Sequence, residues 1–364
     1  MRVAILTEQT VADFGCGDWM QASSTAAGLR ALGVDVEHLL CRAGGVGSNM
    51  AVQSPSTSAP FSVVHMIPAP GSFHPSQLAG LPLSSSARFV ASSVFWRSPR
   101  SFLVMLRNLE KSSWQNVLSL GKFTLQEIGT RLAKDRRFQN YHLVLPNSHA
   151  EAEVLRRYYR VKGAVVPVPN AVDSKLDLAT PVPAPAEMAG EDYVLYPGVF
   201  AHRKNQLGFI LAMRDLPLRI GFMGGPLPTE SARRYFDRCR QEAPSHHVFW
   251  GQVPHGSDQF RSILVNARVA CLASNCETPG IALLEAASAG SRPAVTWLGG
   301  TREYYGACAE YMDALCAGSI RNAINAAWSR GRLDQNERDR FRSFTWRRTA
   351  EVTYAAYQTL WQAG

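Results

Sequence analysis

The chain has 364 residues, of which 46% are apolar and 18% charged, with a formal net charge of +9. That length accommodates about two domains, and the composition excludes a disordered, collagenous or disulfide-built chain. The positive balance favours anionic partners such as nucleotide diphosphates, acidic lipid surfaces or nucleic acid, although a basic solvated face accounts for it equally well.

The seven cysteines (Cys16, Cys41, Cys239, Cys271, Cys276, Cys308 and Cys316) are odd in number and lack C-x-x-C spacing. This argues against a zinc site and a disulfide framework, and for a reducing compartment. The N-terminal apolar run is interrupted at Glu8, too soon for a signal peptide. No stretch approaches the ~18 apolar residues of a spanning helix. The expectation is a cytoplasmic protein that meets a membrane, if at all, by surface contact at its inner face.

Val3 to Leu6 reads as a strand buried on both faces, followed by a glycine-bearing turn over 13–18 and a small-residue helix over 19–32 that ends at Gly33. Val34 to Leu40 is the next strand, which completes a βαβ opening and predicts a parallel, doubly wound sheet. Residues 43–60 are rich in Gly, Ser and Pro and read as a loop. Strands follow at 61–67, 88–95 and 141–145. Ser148 or Asn147 is a natural N-cap for a helix over 149–160. The proline-rich stretch 171–190 reads as a hinge.

The alternation then restarts. Strands are expected at 193–196, 218–223, 248–250, 269–273 and 294–296. Helices are expected at 203–214, 229–242, 256–267, 280–290 and 318–329, with a terminal amphipathic helix over 347–361. The predicted architecture is α/β, with an N-terminal Rossmann-like domain over 1–171 and a C-terminal one over 172–342. A final segment, 343–364, packs back on the first domain.

The most informative stretch runs from Ser274 to Gly290. Glu277 follows a buried strand, at the edge of an open α/β sheet where ligands bind. Gly280 opens the next helix, whose free N–H groups and dipole suit a phosphate. Glu285 lies one to two turns inside that helix. A helix cap and a solvated side chain are the plain readings of two such glutamates. Against that, Glu285 is flanked by Ile281-Ala-Leu-Leu284 and Ala286-Ala287, too apolar for an exposed face, and a buried carboxylate calls for a partner.

The spacing E-x7-E from Glu277 to Glu285, followed by Ala287-Ser-Ala-Gly290 and Pro293, resembles the retaining glycosyltransferases of the GT-B fold, specifically glycosyltransferase family 4. Pro146-Asn-Ser148, Val166-Pro-Val-Pro-Asn170-Ala-Val-Asp173, Tyr196-Pro-Gly198-Val-Phe-Ala-His-Arg203-Lys204-Asn205, Phe222-Met-Gly-Gly225 and Gly299-Gly-Thr-Arg-Glu303-Tyr-Tyr-Gly306 are similar to further motifs of that family, in the same order.

The resemblance implies a donor domain that binds a UDP- or GDP-sugar and transfers the sugar with retention, with no metal ion or other cofactor. Lys204 would pair with the donor diphosphate, assisted by Arg203, by simple electrostatics. Glu277 would approach the transferred sugar and Glu285 the ribose hydroxyls. The Thr278-Pro279-Gly280 backbone would border the sugar or phosphates. Gly198 and Gly225 belong to the glycine turns of the donor motifs. Val253, in Trp250-Gly-Gln-Val-Pro254, would border the base. The Gly15-Cys-Gly17 turn would let the first domain approach the pyrophosphate.

Val199 stands where the family usually has an arginine on the diphosphate, a loss that Arg203 or Arg302 can offset. The family often has an acceptor-side histidine, and His65, His74, Trp96 and Arg97 are the candidates here. The resemblance also implies a saccharide or lipid-linked saccharide acceptor in bacterial surface glycan assembly. The basic and aromatic residues of 88–111 and 156–160 suit an anionic membrane surface. Alternatives are a protein acting on nucleic acid, for which no recognised module is present, and a sugar-nucleotide epimerase.

Overall fold

The computed structural model describes residues 1–14, 17–42, 50–69, 73–78, 80–93, 136–173, 176, 178–188 and 190–361. These fall into two units. One comprises the described residues of 1–93, 136–171 and 344–361, and the other those of 172–343.

The first unit is wound around β1 (Arg2–Glu8), whose unbroken apolar run is buried on both faces. Val3 and Ile5 join one core with Ala22, Ala26, Leu29, Val63 and Tyr357. Ala4 and Leu6 join the other with Val64, Met66, Phe89, Phe138 and Tyr141. The alternation of side chains along a strand makes this division, and two covered faces are what a parallel sheet requires.

Helices α1 (Gln9–Phe14) and α2 (Gly17–Ala31) precede β2 (Asp35–Arg42), β3 (Ala51–Val52), β4 (Phe61–Met66), β5 (Leu83–Ser93), β6 (Leu143–Pro146), α3 (His149–Tyr158) and β7 (Ala164–Val165). The seven strands lie in the order β3-β2-β1-β4-β5-β6-β7. All pairings are parallel except that of the two-residue β3 on β2. Gly33 takes φ +80 beyond α2, where Val34 N–H reaches the Leu29 carbonyl at 3.1 Å. Ser148 caps α3 by accepting from Glu151 N–H at 3.1 Å.

The second unit comprises β8 (Val194–Pro197), α4 (Gln206–Met213), β9 (Ile220–Met223), α5 (Glu230–Glu242), β10 (Val248–Gly251), α6 (Asp258–Asn266), β11 (Val269–Leu272), α7 (Ile281–Ser288), β12 (Arg292–Thr296), α8 (Thr301–Tyr305), β13 (Glu310–Met312), α9 (Ala317–Arg330) and α10 (Gln335–Arg342). Its strands are all parallel, in the order β10-β9-β8-β11-β12-β13. The order reverses between β8 and β11, so the loops leaving their carboxyl ends frame the crevice where such sheets bind ligands.

The final helix, α11 (Trp346–Gln358), belongs to the first unit and packs on α2. Gly28 lets them approach so closely that a Cβ there would lie 2.6 Å from the Ala350 Cβ.

Several elements depart from the sequence-based expectation. Residues 13–14 and 17–18 of the expected turn are helical, in α1 and α2, and β3, α8, β13 and α10 are additional. β3, β13 and α8 have only two, three and five residues, too few to establish a period, and β3 exists only by its pairing with β2. Among the described residues, no helix is long and apolar enough to cross a membrane, and the six described cysteines form no disulfide.

Candidate functional site

Two loops at the switch point of the second sheet bring a lysine to a glutamate. After β8 the chain passes Gly198 (φ +125) and enters a 3-10 turn over His202–Lys204. A Cβ on Gly198 would stand 3.8 Å from the Lys204 Cε, so the bare backbone lies alongside the lysine stem. Asn205 closes the turn in the left-handed region at φ 54, a conformation asparagine tolerates better than most residues. Its amide donates to the carbonyls of Ala273 and Ala314, each at 3.0 Å. Tyr196 Oη–H donates to the Lys204 carbonyl from inside the sheet. The Arg203 carbonyl accepts from Asn275 N–H at 2.8 Å. The turn is thereby tied to the segment that follows β11.

That segment carries Glu277, whose Oε1 accepts directly from Lys204 Nζ. The lysine is 7% exposed and the glutamate 5%. Burial works to raise the Glu277 pKa, but the charges of Lys204 and Arg203 and the Lys204 hydrogen bond outweigh it, holding the carboxylate below its ordinary range. The backbone of Glu277 is equally constrained. Its N–H donates to the Leu298 carbonyl at 3.2 Å and its carbonyl accepts from Gly300 N–H at 3.0 Å. Gly299, at φ +115, passes so near that a Cβ would lie 2.0 Å from the Glu277 carbonyl oxygen.

Thr278 and Pro279 lead to Gly280, which caps α7 at φ +80. A Cβ on Gly280 would lie 2.6 Å from the Leu272 side chain. Tyr305 Oη–H donates to the Pro279 carbonyl at 3.0 Å. The N–H groups at the start of α7 therefore sit beside the ion pair on a braced segment, and such groups favour an anion.

Glu285, on α7, is 1% exposed. Its Oε1 accepts from His255 Nε2 at 2.9 Å. Burial raises its pKa, and the histidine opposes the rise. His255 follows Val253 and Pro254 in the loop between β10 and α6, and its ring lies 4.7 Å from that of Phe260. The sequence gives no sign of this histidine, because it falls in no motif and only the fold brings it to α7.

Gly225 accepts from Phe200 N–H at 2.8 Å, and Gly224, at φ +145, passes 2.2 Å from the Gly198 carbonyl as measured to a Cβ built there. The two glycine turns after β8 and β9 thus touch. The Val199 carbonyl accepts from Gln206 Nε2 at 2.9 Å. Of the two arginines considered as its substitutes, Arg203 acts on Glu277, whereas the Arg302 guanidinium lies over the Tyr311 ring at 4.9 Å.

In the first unit His65 is 1% exposed. Its Nδ1 meets Tyr357 Oη at 2.6 Å and its Nε2 meets Ser92 Oγ at 2.9 Å. Burial pushes the imidazole down to about 3. His74 is exposed, with Nδ1 2.7 Å from Ser76 Oγ. Gly17 begins α2. Gly15, Trp96 and Arg97 lie outside the described residues, as does most of the basic and aromatic segment 88–111.

Residues 183–326 match the family model of glycosyl transferases group 1. The sequence matches no curated protein relative. Among solved structures, the chain is similar to sucrose-phosphate synthase from Thermosynechococcus elongatus at 18% identity and a TM-score of 0.68, covering 100% of both chains. A glycosyltransferase from Rickettsia africae is similar at 12% identity and 0.66, covering 100% of this chain and 99% of that one. HepE of Anabaena, solved with UDP and glucose, is similar at 14% identity and 0.58, covering 99% and 98%. The fold is GT-B, two Rossmann-like parallel-sheet domains.

Proposed function

We propose that the protein is a glycosyltransferase that moves a sugar from a nucleotide-sugar to a saccharide or lipid-linked saccharide, with retention of anomeric configuration, as the resemblance to glycosyltransferase family 4 implies. The observation that carries this reading is the buried Lys204–Glu277 pair at the switch point of a parallel sheet, beside the start of α7. The group 1 family model spans these residues, and HepE, of the same fold, was solved with UDP and glucose.

In this reading the diphosphate lies between Lys204 and the N–H groups that open α7. Lys204 and Arg203 stabilise the charge that develops on the departing phosphate, a preorganised electrostatic effect that needs no divalent ion. Glu277 orients the lysine and meets the transferred sugar. Glu285 accepts from ribose hydroxyls, and the loop around Val253 borders the base. The departing phosphate takes the proton of the attacking acceptor hydroxyl on the same face of the sugar. The acceptor belongs to bacterial surface glycan assembly, and the chain meets it at the inner face of the membrane.

Calorimetric titration with UDP, GDP and ADP tests the donor assignment. One nucleotide binds selectively to the wild type, and Glu285→Ala weakens it about 10- to 100-fold, the effect of losing one or two charge-assisted hydrogen bonds. No binding of any of the three rules the donor assignment out. Free sugar or an epimer formed from donor alone, with no acceptor consumed, replaces transfer by a reaction on the donor.

A further inference from the structure

Glu285 is a carboxylate with almost no access to water, set on a helix among the buried Leu283, Leu284, Ala286 and Ala287. A group so placed requires a donor to remain ionised and to keep one orientation. His255 supplies that donor to Oε1. Among the described residues, Oε2 meets no donor of its own.

His255 comes from the loop after β10, on the far side of the sheet order from α7's strand β11. It is held in place by three features of its own segment. Its ring packs on Phe260 at 4.7 Å. Ser257 N–H donates to the Pro254 carbonyl at 3.2 Å, and Ser257 Oγ caps α6 by accepting from Phe260 N–H at 3.2 Å. The imidazole is 29% exposed while the carboxylate it holds is 2% exposed, so the pair spans the boundary between the crevice surface and the interior.

We propose that His255 is a positioning residue for the ribose of a nucleoside diphosphate: its Nε2–H fixes one oxygen of Glu285, so that the other is presented to a ribose hydroxyl. This rests on the reading of Glu285 as a donor-site residue. Imidazole suits the task because Nε2–H donates whether or not Nδ1 carries a proton, so the carboxylate remains an acceptor in both states. Burial works against a charge on His255, but the Glu285 hydrogen bond and the nearby Glu285 and Asp173 carboxylates outweigh it and raise the imidazole above its ordinary range. A permanently charged lysine or arginine would bind Glu285 more strongly and compete with the ribose for it.

The test is the ratio of affinities for a ribonucleoside diphosphate and its 2′-deoxy and 3′-deoxy forms, measured calorimetrically with the full chain and whichever of UDP, GDP and ADP binds the wild type. The wild type prefers the ribose form. His255→Gln, whose amide also donates, keeps the preference to within about threefold, whereas His255→Phe, which packs on Phe260 but cannot donate, loses about five- to tenfold of it. Glu285→Ala loses it as well, and adding His255→Phe to that variant changes nothing further. Thermal melting of each variant separates loss of the preference from loss of the fold. A His255→Phe protein that melts like the wild type and retains the full ribose preference overturns the role of His255 alone. A wild type that binds none of the three nucleotides overturns the donor reading, and the proposal falls with it.

Discussion

The carboxyl edges of the two sheets solve the same problem, polar groups taken out of water, in opposite ways. At the carboxyl edge of the first sheet, buried neutral groups and a capping glutamate close on one another, while the buried Arg2, at the opposite end of β1, pairs with Glu37. His65 bridges Ser92 and Tyr357, Gln21 donates to Asn147 at 3.1 Å, and Glu151 accepts from Asn147 N–H at 2.8 Å. At the same edge of the second sheet the buried charged groups are Lys204, Glu277 and Glu285: Lys204 and Glu277 pair with each other, and Glu285 is held by the exposed His255. Neutral networks are economical ways to fill an interior. Buried ion pairs are weak contributors to stability compared with well-packed apolar side chains of the same volume. On the proposed function, the Lys204–Glu277 pair is kept at the second edge for its chemistry rather than for stability.

The largest expected effect comes from splitting the ion pair. Lys204→Met or Glu277→Leu alone strands a buried charge and destabilises the chain by about 3–5 kcal/mol. Each also lowers sugar transfer by roughly 100-fold or more, as loss of a preorganised electrostatic group does. The double variant recovers most of the melting temperature and none of the activity. If the double variant recovers transfer too, the pair is structural and the contrast between the two edges fails.

A smaller effect is expected from Gly299→Ala. The added Cβ meets the Glu277 carbonyl, and alanine resists φ +115. Strain of this kind costs about 1–3 kcal/mol, and relief of it moves Glu277, so transfer falls together with the melting temperature. Unchanged melting and unchanged turnover would show that the segment yields freely, contrary to the bracing described above.

The smallest effect separates the edges by pH. His65 is held neutral in the fold down to about 3, whereas in the unfolded chain it takes up its proton near an ordinary pKa of about 6.5. Its contribution is therefore complete above about pH 6.5 and declines as the pH falls, by at most about 1.4 kcal/mol per unit. Glu277 has a depressed pKa, so its contribution begins to decline only as the pH drops through the ordinary carboxylate range. The slope of denaturation midpoint against pH between 7 and 5 should be shallower in His65→Gln than in the wild type. Equal slopes would remove the assignment to His65.

Much of the second unit is legible in the sequence because its signals are local. The buried strands are continuous apolar runs, amphipathic stretches alternate with them, and Glu277 and Glu285 share one helix-opening segment. His255 is not legible, since it meets Glu285 across 30 residues of chain and only the sheet order makes them neighbours. The bracing of Glu277 by Gly299 is hidden for the same reason: a Gly-Gly pair advertises a turn, not which carbonyl it will pass. His65 illustrates the reverse case. It stands near a strand end, as a pocket residue would, and only the structure reveals that both ring nitrogens are already engaged.

Asn205 bears on how variants of this site are to be interpreted. Its side-chain amide spans two carbonyls contributed by segments far apart in the sequence, one following β11 and one following β13. The backbone of the lysine turn is thus riveted to the frame at the point where the charge emerges, and adaptation is left to the four rotatable bonds of the lysine stem. A site mounted in this way behaves as an instrument with a fixed base and a short movable arm. Changes in the length or charge of residue 204 register as changes in reach and field, whereas substitution of Asn205 loosens the mounting and blurs every measurement made on the arm.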